Sequence, residues 1–387
     1  MSILVSTKSY IRNVVTKAGG IYIHVPFCQK RCIYCDFYST TLGVEWKRLY
    51  VSALRREMLL RRSEIDSSRV PSLYIGGGTP SQLPESLLLE MFQAITECFM
   101  FTEDAEITIE VNPDDVTPHL IDALHQTPVN RISMGVQTFS DKQLKFLNRR
   151  HTSAQALQAV RLFREANYNN ISLDLIYGLP GQTFKEWKHD VDMVVELGVP
   201  HLSAYALSYE EGTVLHNMLE EGLVAEAPDE LSWQMYDYLM DKTTDAGMEH
   251  YEISNFAVSG KFAKHNSRYW NGSPYLGLGP GAHSYDGENI RRSNNTSLKE
   301  YVQATEDVPH QIEILTPQER YDETVMTRLR TFSGLPLDIL TAEQRAYCLQ
   351  MAEPHIHNGN LVREDDVLRL SKRGIFVSNS VISDLMF

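Results

Sequence analysis

Residues 22–35 read Tyr22-Ile-His24-Val-Pro26-Phe27-Cys28-Gln-Lys-Arg-Cys32-Ile-Tyr34-Cys35. A short β-rich run at Ile21–His24 predicts a strand, and three cysteines follow in C-x3-C-x2-C spacing on the loop after it. Thiolates bind soft metals, so a tight cysteine cluster points to a metal. Five cysteines in 387 residues are too sparse for a disulfide scaffold. Cys98 and Cys348 are remote and isolated, and Cys98 falls in a helical apolar pattern. Structural zinc takes four ligands, usually as two separated pairs, and stands as the alternative. A four-iron cluster usually has four cysteines. With three, one iron keeps an open position where a small molecule can bind, by the logic of an open catalytic zinc.

Outward from this loop the chain alternates β-rich runs with helical apolar spacing. Strands are predicted at Ile21–His24, Leu73–Gly76, Ile107–Val111, Ile132–Gly135, Ile171–Leu175 and His201–Ala206. Helices are predicted at Glu45–Arg62, Glu85–Met100, Ser153–Tyr168 and Phe184–Leu197, the last stopped by Gly198. Repeated strand-then-helix units build parallel sheets. Six units are too few to close an eight-fold barrel. The expected fold is therefore α/β, a partial (β/α)6 barrel.

After about residue 210 the pattern changes. Asp229–Gly247 reads as one long helix, and glycine and proline crowd residues 271–287. From Thr316 the chain turns helical, then ends in Leu361–Leu370, Ser371–Gly374 and Ile375–Phe387, a helices-plus-hairpin order resembling a winged helix. The expected division is a lead-in at 1–20, the core at 21–215, a linking region at 216–300 and a mostly helical C-terminal domain at 301–387.

An apolar share of 43% with 22% charged residues is ordinary for a folded globular protein and excludes disorder as the main state. The net charge of −14 repels phosphate backbones, which argues against nucleic-acid binding. No apolar run approaches the roughly 18 residues of a membrane span. The N-terminus lacks a secretory apolar core, although Lys8, Arg12 and Lys17 precede the first acidic residue, Asp36. The expectation is a reducing, cytoplasmic setting, with an organellar transit peptide as the alternative.

Working residues of βα barrels gather at the C-terminal ends of strands. Gly76-Gly77-Gly78-Thr79-Pro80 follows the second strand, and Glu110-Val-Asn112-Pro113 ends the third. Gly135-Val-Gln137 ends the fourth, with Asn148-Arg149 just beyond, and Asp174 lies in the fifth. Glycines let backbone approach a ligand closely, although a plain tight turn explains such a run equally well.

The cysteine spacing after a first strand resembles the signature of the radical S-adenosylmethionine (SAM) superfamily. That resemblance implies a [4Fe-4S] cluster whose open iron binds SAM and whose electron cleaves it to a 5′-deoxyadenosyl radical. Tyr22–Cys28, Arg131-Ile-Ser-Met-Gly-Val-Gln137 and Asp174-Leu-Ile-Tyr-Gly-Leu-Pro180 narrow it to the HemN/HemW group, from about Tyr22 to the C-terminus. This group includes oxygen-independent coproporphyrinogen III dehydrogenase and haem chaperones. The resemblance implies that Cys28, Cys32 and Cys35 hold the cluster. It implies SAM contacts from Tyr34, Gly78, Thr79, Gln137, Arg149 and Asp174. Tyr22, Gly77 and Glu110 match positions that in the dehydrogenase also line a second SAM. Phe37 stands where the dehydrogenase motif continues with another cysteine, and only 21 residues precede Tyr22. Both departures favour the chaperone branch, with the dehydrogenase as the alternative function.

Lys264-His265-Asn266-Ser267-Arg268-Tyr269-Trp270 resembles the H-N-x-x-Y-W element of the chaperone branch. A neutral imidazole can ligate haem iron, so His265 is the expected axial ligand, with His250 and His283 as rivals. Tyr269 and Trp270 offer flat apolar surface for the macrocycle, and Lys264 or Arg268 could pair with propionates. A buried histidine beside two packing aromatics is the plainer reading of the same segment. The resemblance further implies haem-recipient proteins, respiratory-chain proteins among them, and an electron donor. Peripheral membrane contact is compatible with such recipients.

Overall fold

The computed structural model describes residues 17–387. Lys8 and Arg12, on which the transit-peptide reading rests, lie outside them. Among the described residues no helix is long and apolar enough to cross a membrane.

The first half is a run of strand–helix units. They are β1 (Gly20–Val25), α1 (Val44–Arg61), β2 (Val70–Gly77), α2 (Glu85–Cys98), β3 (Phe101–Val111), α3 (Pro118–Leu124) and β4 (Arg131–Gln137). Then come α4 (Asp141–Phe146), α5 (Ser153–Glu165), β5 (Ile171–Tyr177), α6 (Phe184–Leu197), β6 (His201–Ala206) and α7 (Val214–Glu220). The helix ends are set locally. Thr152–Gln155 and Thr183–Glu186 are reciprocal capping boxes, and Gly198 closes α6 at φ 58°.

Strands β1 to β6 pair in sequence order, all parallel. Side chains alternate across each strand. Ile21, Ile23, Leu73, Ile75, Ile107, Ile109, Ile132, Met134, Leu173 and Leu202 join the buried apolar core. The alternate positions carry Tyr22, His24, Tyr74, Glu110, Arg131, Ser133, Asp174 and Ser203. One face of the curved sheet is therefore hydrocarbon, and the other is a polar lumen.

Residues 216–300 add α8 (Asp229–Asp245), β7 (Glu249–Glu252), β8 (Asn255–Ala257), α9 (Lys264–Trp270), β9 (Tyr275–Leu278), β10 (His283–Tyr285), β11 (Ile290–Ser293) and α10 (Leu298–Gln303). These strands extend the sheet on both sides. β8 and β7 continue beyond β6, and β9 pairs parallel with β1, Ile21 opposite Leu276. β12 (Gln311–Ile314) completes the order β12-β11-β10-β9-β1-β2-β3-β4-β5-β6-β8-β7. A seventh parallel strand thus joins the six expected. Its pattern was hidden because it is short and interrupted by Gly277. A Cβ there would lie 1.9 Å from the His283 carbonyl oxygen, so the tight β9–β10 approach needs glycine.

A buried ionic knot binds this hairpin to α1. Arg61 pairs with Glu57 at 2.7 Å and donates to the Gly277 carbonyl and to Ser284 Oγ. Glu57 in turn accepts from Gly279 N–H, Asn294 Nδ2 and the Tyr301 hydroxyl. A buried pair is tolerable when its remaining hydrogen-bonding capacity is used, as here.

The C-terminal unit has its own core around Tyr321, Val325, Leu329, Cys348, Leu368 and Val381. It comprises α11 (Pro317–Leu329), β13 (Leu335–Pro336), α12 (Ala342–His357), the hairpin β14 (Leu361–Glu364) and β15 (Val367–Leu370), α13 (Lys372–Phe376) and α14 (Ser378–Asp384). β13-β15-β14 form a separate antiparallel sheet, giving the expected helices-plus-hairpin form. Cys98 and Cys348 are buried in the two cores.

Candidate functional site: a thiol-lined cavity in the barrel mouth

The segment after β1 is pinned at both ends. Thr40 N–H donates to the Pro26 carbonyl and Cys28 N–H to the Thr40 carbonyl. Ile33 N–H reaches the Leu147 carbonyl, and Asn148 Nδ2 reaches the Arg31 carbonyl. Cys28, Cys32 and Cys35 all line one cavity of about 440 Å³. Among the described residues no three His, Cys, Asp or Glu side chains converge closely enough to hold a single metal ion. The thiols ring a space rather than meet at a point. Burial pushes the Cys28 thiol up and the Cys35 thiol up to about 11.

The glycine run forms the floor beside them. Gly78 N–H and Thr79 N–H donate to the Val25 and Phe27 carbonyls at 2.8 Å. Gly77 sits at φ 106°, and a Cβ on it would lie 2.6 Å from the His24 ring; one on Gly78 would meet backbone at 2.8 Å. Only glycine permits this fold-over. It carries Thr79 to 3.6 Å from Cys28 Sγ.

Across the cavity Arg149 reaches Cys32 Sγ at 3.5 Å and also donates to Asn112 Oδ1 and the Gly135 carbonyl. Its Nε is buried without a partner among the described residues. Gln137 and Asn148, two of the four non-glycine residues at positive φ among the described residues, flank this arginine's contacts and line the same cavity. Backbone strain of this kind persists where the surroundings over-determine it, commonly at sites.

Two carboxylates look into the lumen. Glu110 accepts from the Tyr74 hydroxyl at 2.7 Å and from Gly77 N–H. Burial pushes Glu110 up to about 7, against the pull of the Tyr74 bond, and pushes Asp174 up to about 6. Arg131 lies beneath them, fully buried, with Nε and Nη1 making no hydrogen bond among the described residues and Glu106 3.9 Å from Nε.

Of the residues singled out from sequence, the cavity gathers Tyr34, Gly77, Gly78, Thr79, Glu110, Gln137, Arg149 and Asp174 with the three cysteines. Tyr22 stands behind it, stacked on Tyr74 and 3.0 Å from His24 Nδ1. Sequence reasoning missed Tyr74, Ser203 and Tyr205, which also line it. Their only signal was alternation in β2 and β6, the polar position of each strand's period.

The segment 264–270 is α9, and it stands apart from the thiols. Glu106 accepts from Lys264 N–H and His265 N–H, fixing the start of the helix. His265 is fully buried, with Nδ1 3.0 Å from Ser72 Oγ and Nε2 2.9 Å from the Tyr269 hydroxyl. Burial lowers its imidazole to about 3. The axial-ligand expectation for His265 therefore meets a fully buried ring with both nitrogens engaged. His250 is engaged by Tyr236 and the Ile253 carbonyl, and His283 is exposed. Asn266 lines the thiol cavity, while Tyr269 and Trp270 line a second one, of about 360 Å³, toward α11.

Residues 22–194 match the Radical SAM superfamily, and residues 315–377 match the HemN C-terminal domain. "Heme chaperone HemW" of Lactococcus lactis subsp. lactis is 34% identical over 380 residues, covering 96% of this chain and 98% of its own. "Heme chaperone HemW" of Bacillus subtilis is 36% identical over 318 residues, covering 81% of this chain and 84% of its own. In fold, the chain is similar to coproporphyrinogen III oxidase (HemN) from Escherichia coli. The TM-score is 0.83 at 22% identity, over 97% of this chain and 92% of that one. A superfamily match over the thiol-lined half, a HemN-type C-terminal unit and full-length similarity to HemW proteins agree: the chain belongs to the HemN/HemW family of the radical SAM superfamily.

Proposed function

We propose that this protein is a haem chaperone with a radical SAM core: it binds a [4Fe-4S] cluster, SAM and haem, and passes haem to recipient proteins, respiratory-chain proteins among them. The superfamily implies the cluster and SAM, and the residues present fit both. Cys28, Cys32 and Cys35 would hold the cluster, leaving one iron open. Gly78 and Thr79, with Tyr34, Gln137, Arg149 and Asp174, would hold SAM. Tyr22, Gly77 and Glu110 would serve a second molecule. A reduced cluster supplies the electron that cleaves SAM.

The chain's own work is to bind and orient. Arg149 offers a fixed cation with a donor 3.5 Å from Cys32 Sγ. The glycine floor brings backbone within reach of a small zwitterion. Glu110 and Asp174 accept from hydroxyl or ammonium donors, and a bound cation would draw both toward the ionised form. The observation that carries the reading is the convergence of three thiols, a glycine floor and two lumen carboxylates on one cavity, with the motif helix α9 on its wall. Haem binding is supported by that segment and by the HemW relatives, and Tyr269 and Trp270 would give the porphyrin its apolar surface.

Anaerobic reconstitution tests it. The wild type should take up about four irons and release 5′-deoxyadenosine from SAM under reductant, and Cys32→Ala should do neither. Haem-loaded protein should transfer haem to an apo-acceptor. Efficient conversion of coproporphyrinogen III to protoporphyrinogen IX, without haem transfer, would establish the dehydrogenase instead.

A further inference from the structure

The second cavity lies between α9 and α11. From α11, Arg320, Glu323 and Arg328 all line it. Tyr321, Val325 and Leu329 of the same helix belong to the C-terminal core. The other wall is aromatic and basic: Trp270, Tyr275, Tyr285 and Arg291.

Charge decides what fits here. Arg291 pairs with Glu323 at 2.7 Å. Arg328 donates only to the Asn271 carbonyl, and Arg320 has no carboxylate partner among the described residues. Neither guanidinium is held in an ion pair among the described residues, and Glu288 is the carboxylate that feels Arg320. Paired with aromatic walls, the two guanidinium groups suit a flat ligand with two carboxylates. The volume lies at the lower end of ligand cavities, so a large macrocycle would keep one edge in solvent, as a carrier that hands it on requires.

Among the residues of this cavity, Tyr275 presents a hydroxyl with no hydrogen-bond partner among the described residues, near Arg291. The Tyr269 hydroxyl is committed to His265, and the Tyr285 hydroxyl to the Glu288 carbonyl. We propose that Tyr275 is the axial oxygen ligand of a ferric porphyrin seated in this cavity, with Arg320 and Arg328 taking its two carboxylates. This rests on the haem-carrier reading above. On binding, the Tyr275 O–H bond breaks and an Oη–iron(III) bond forms. The proton leaves to solvent, and the iron stays ferric. Tyrosinate is an established type of haem ligand; burial first, then Glu323 and Tyr285, hold the Tyr275 phenol up, Arg291 pulls the other way, and bond formation to iron(III) must supply the rest.

The test is a titration of the full chain with ferric haem and with metal-free protoporphyrin, for wild type, Tyr275→Phe, Tyr269→Phe and Arg320→Ala/Arg328→Ala. Tyr275→Phe should lose the phenolate-to-iron charge-transfer band and bind haem about 10-fold more weakly, while binding metal-free porphyrin like the wild type. Tyr269→Phe should keep the band. The arginine double variant should weaken both porphyrins by about 10-fold without changing the haem spectrum. An unaltered spectrum in Tyr275→Phe overturns the ligand assignment and leaves the carrier reading standing. A wild type that binds no haem overturns both.

Discussion

His265 Nε2 and the Tyr269 hydroxyl lie 2.9 Å apart across one turn of α9, with Ser72 closing the other ring nitrogen. The ring also packs against Tyr74, centroids 5.6 Å apart. This imidazole holds α9 to β2. His265→Ala should leave a void and two unpaired hydroxyls, lowering unfolding stability by about 2–4 kcal/mol in urea titrations. A loss under about 0.5 kcal/mol would show the ring to be dispensable to the fold.

The same histidine gives a pH signature. Its folded value is lowered to about 3 by burial, against about 6.5 unfolded. Below 6.5 the unfolded chain takes the proton and the folded one does not, so stability falls as pH drops from 6.5 toward 3. The slope approaches about 1.4 kcal/mol per pH unit for one such group. His265→Gln should flatten the urea midpoint against pH between 4 and 6.5 relative to wild type. Parallel curves would refute neutral burial of His265.

Glu110 works in the opposite sense. Its folded value is raised to about 7 by burial, above the unfolded carboxyl near 4.3. Its protonated form favours folding below the unfolded value, and that contribution is lost as pH rises through 7. Glu110→Gln should therefore stabilise the ligand-free protein at pH 8 by about 1–2 kcal/mol, seen as a raised Tm, with little change at pH 4. It should also weaken SAM binding. A Tm at pH 8 equal to wild type would mean that Glu110 is ionised without penalty.

Gly77→Ala combines φ 106° with a Cβ 2.6 Å from the His24 ring. His24 holds the Tyr38 carbonyl at 2.8 Å, just past the third cysteine. The substitution should cost about 1–3 kcal/mol and loosen the cysteine loop. Iron should then be lost to a chelator faster than from wild type; an equal rate would uncouple the glycine floor from the loop.

Arg149→Met keeps the bulk and removes the donors to Cys32, Asn112 and Gly135. SAM affinity, read by calorimetry on reconstituted protein, should fall at least about 10-fold. Unchanged affinity would remove Arg149 from the SAM site.

The parts legible in sequence are those written in short-range pattern. The cysteine spacing, Gly76–Thr79 and the alternation of β1 to β6 each lie within a dozen residues, and each stands in the fold where the pattern puts it. What escaped was long-range. Tyr74 matters because it touches Glu110 and His265, 36 and 191 positions away, and Arg131 because Glu106 and α9 converge on it. β9 carries four residues, one of them glycine, and becomes a strand only because β1 offers it an edge. His265 illustrates the converse: a ligand-type residue in a ligand-type motif, whose nitrogens the tertiary structure had already taken.

That edge has a consequence for biosynthesis. β1 pairs on one side with β2 and on the other with β9, whose Leu276 faces Ile21. At roughly 5–20 residues per second, the N-terminal strand waits about 10–50 s on the ribosome for its second neighbour. Through that interval its free N–H and C=O groups invite mispairing, and the cysteines just beyond it lack their finished frame. On the proposed reading, iron loading belongs after β9 has emerged and paired with β1.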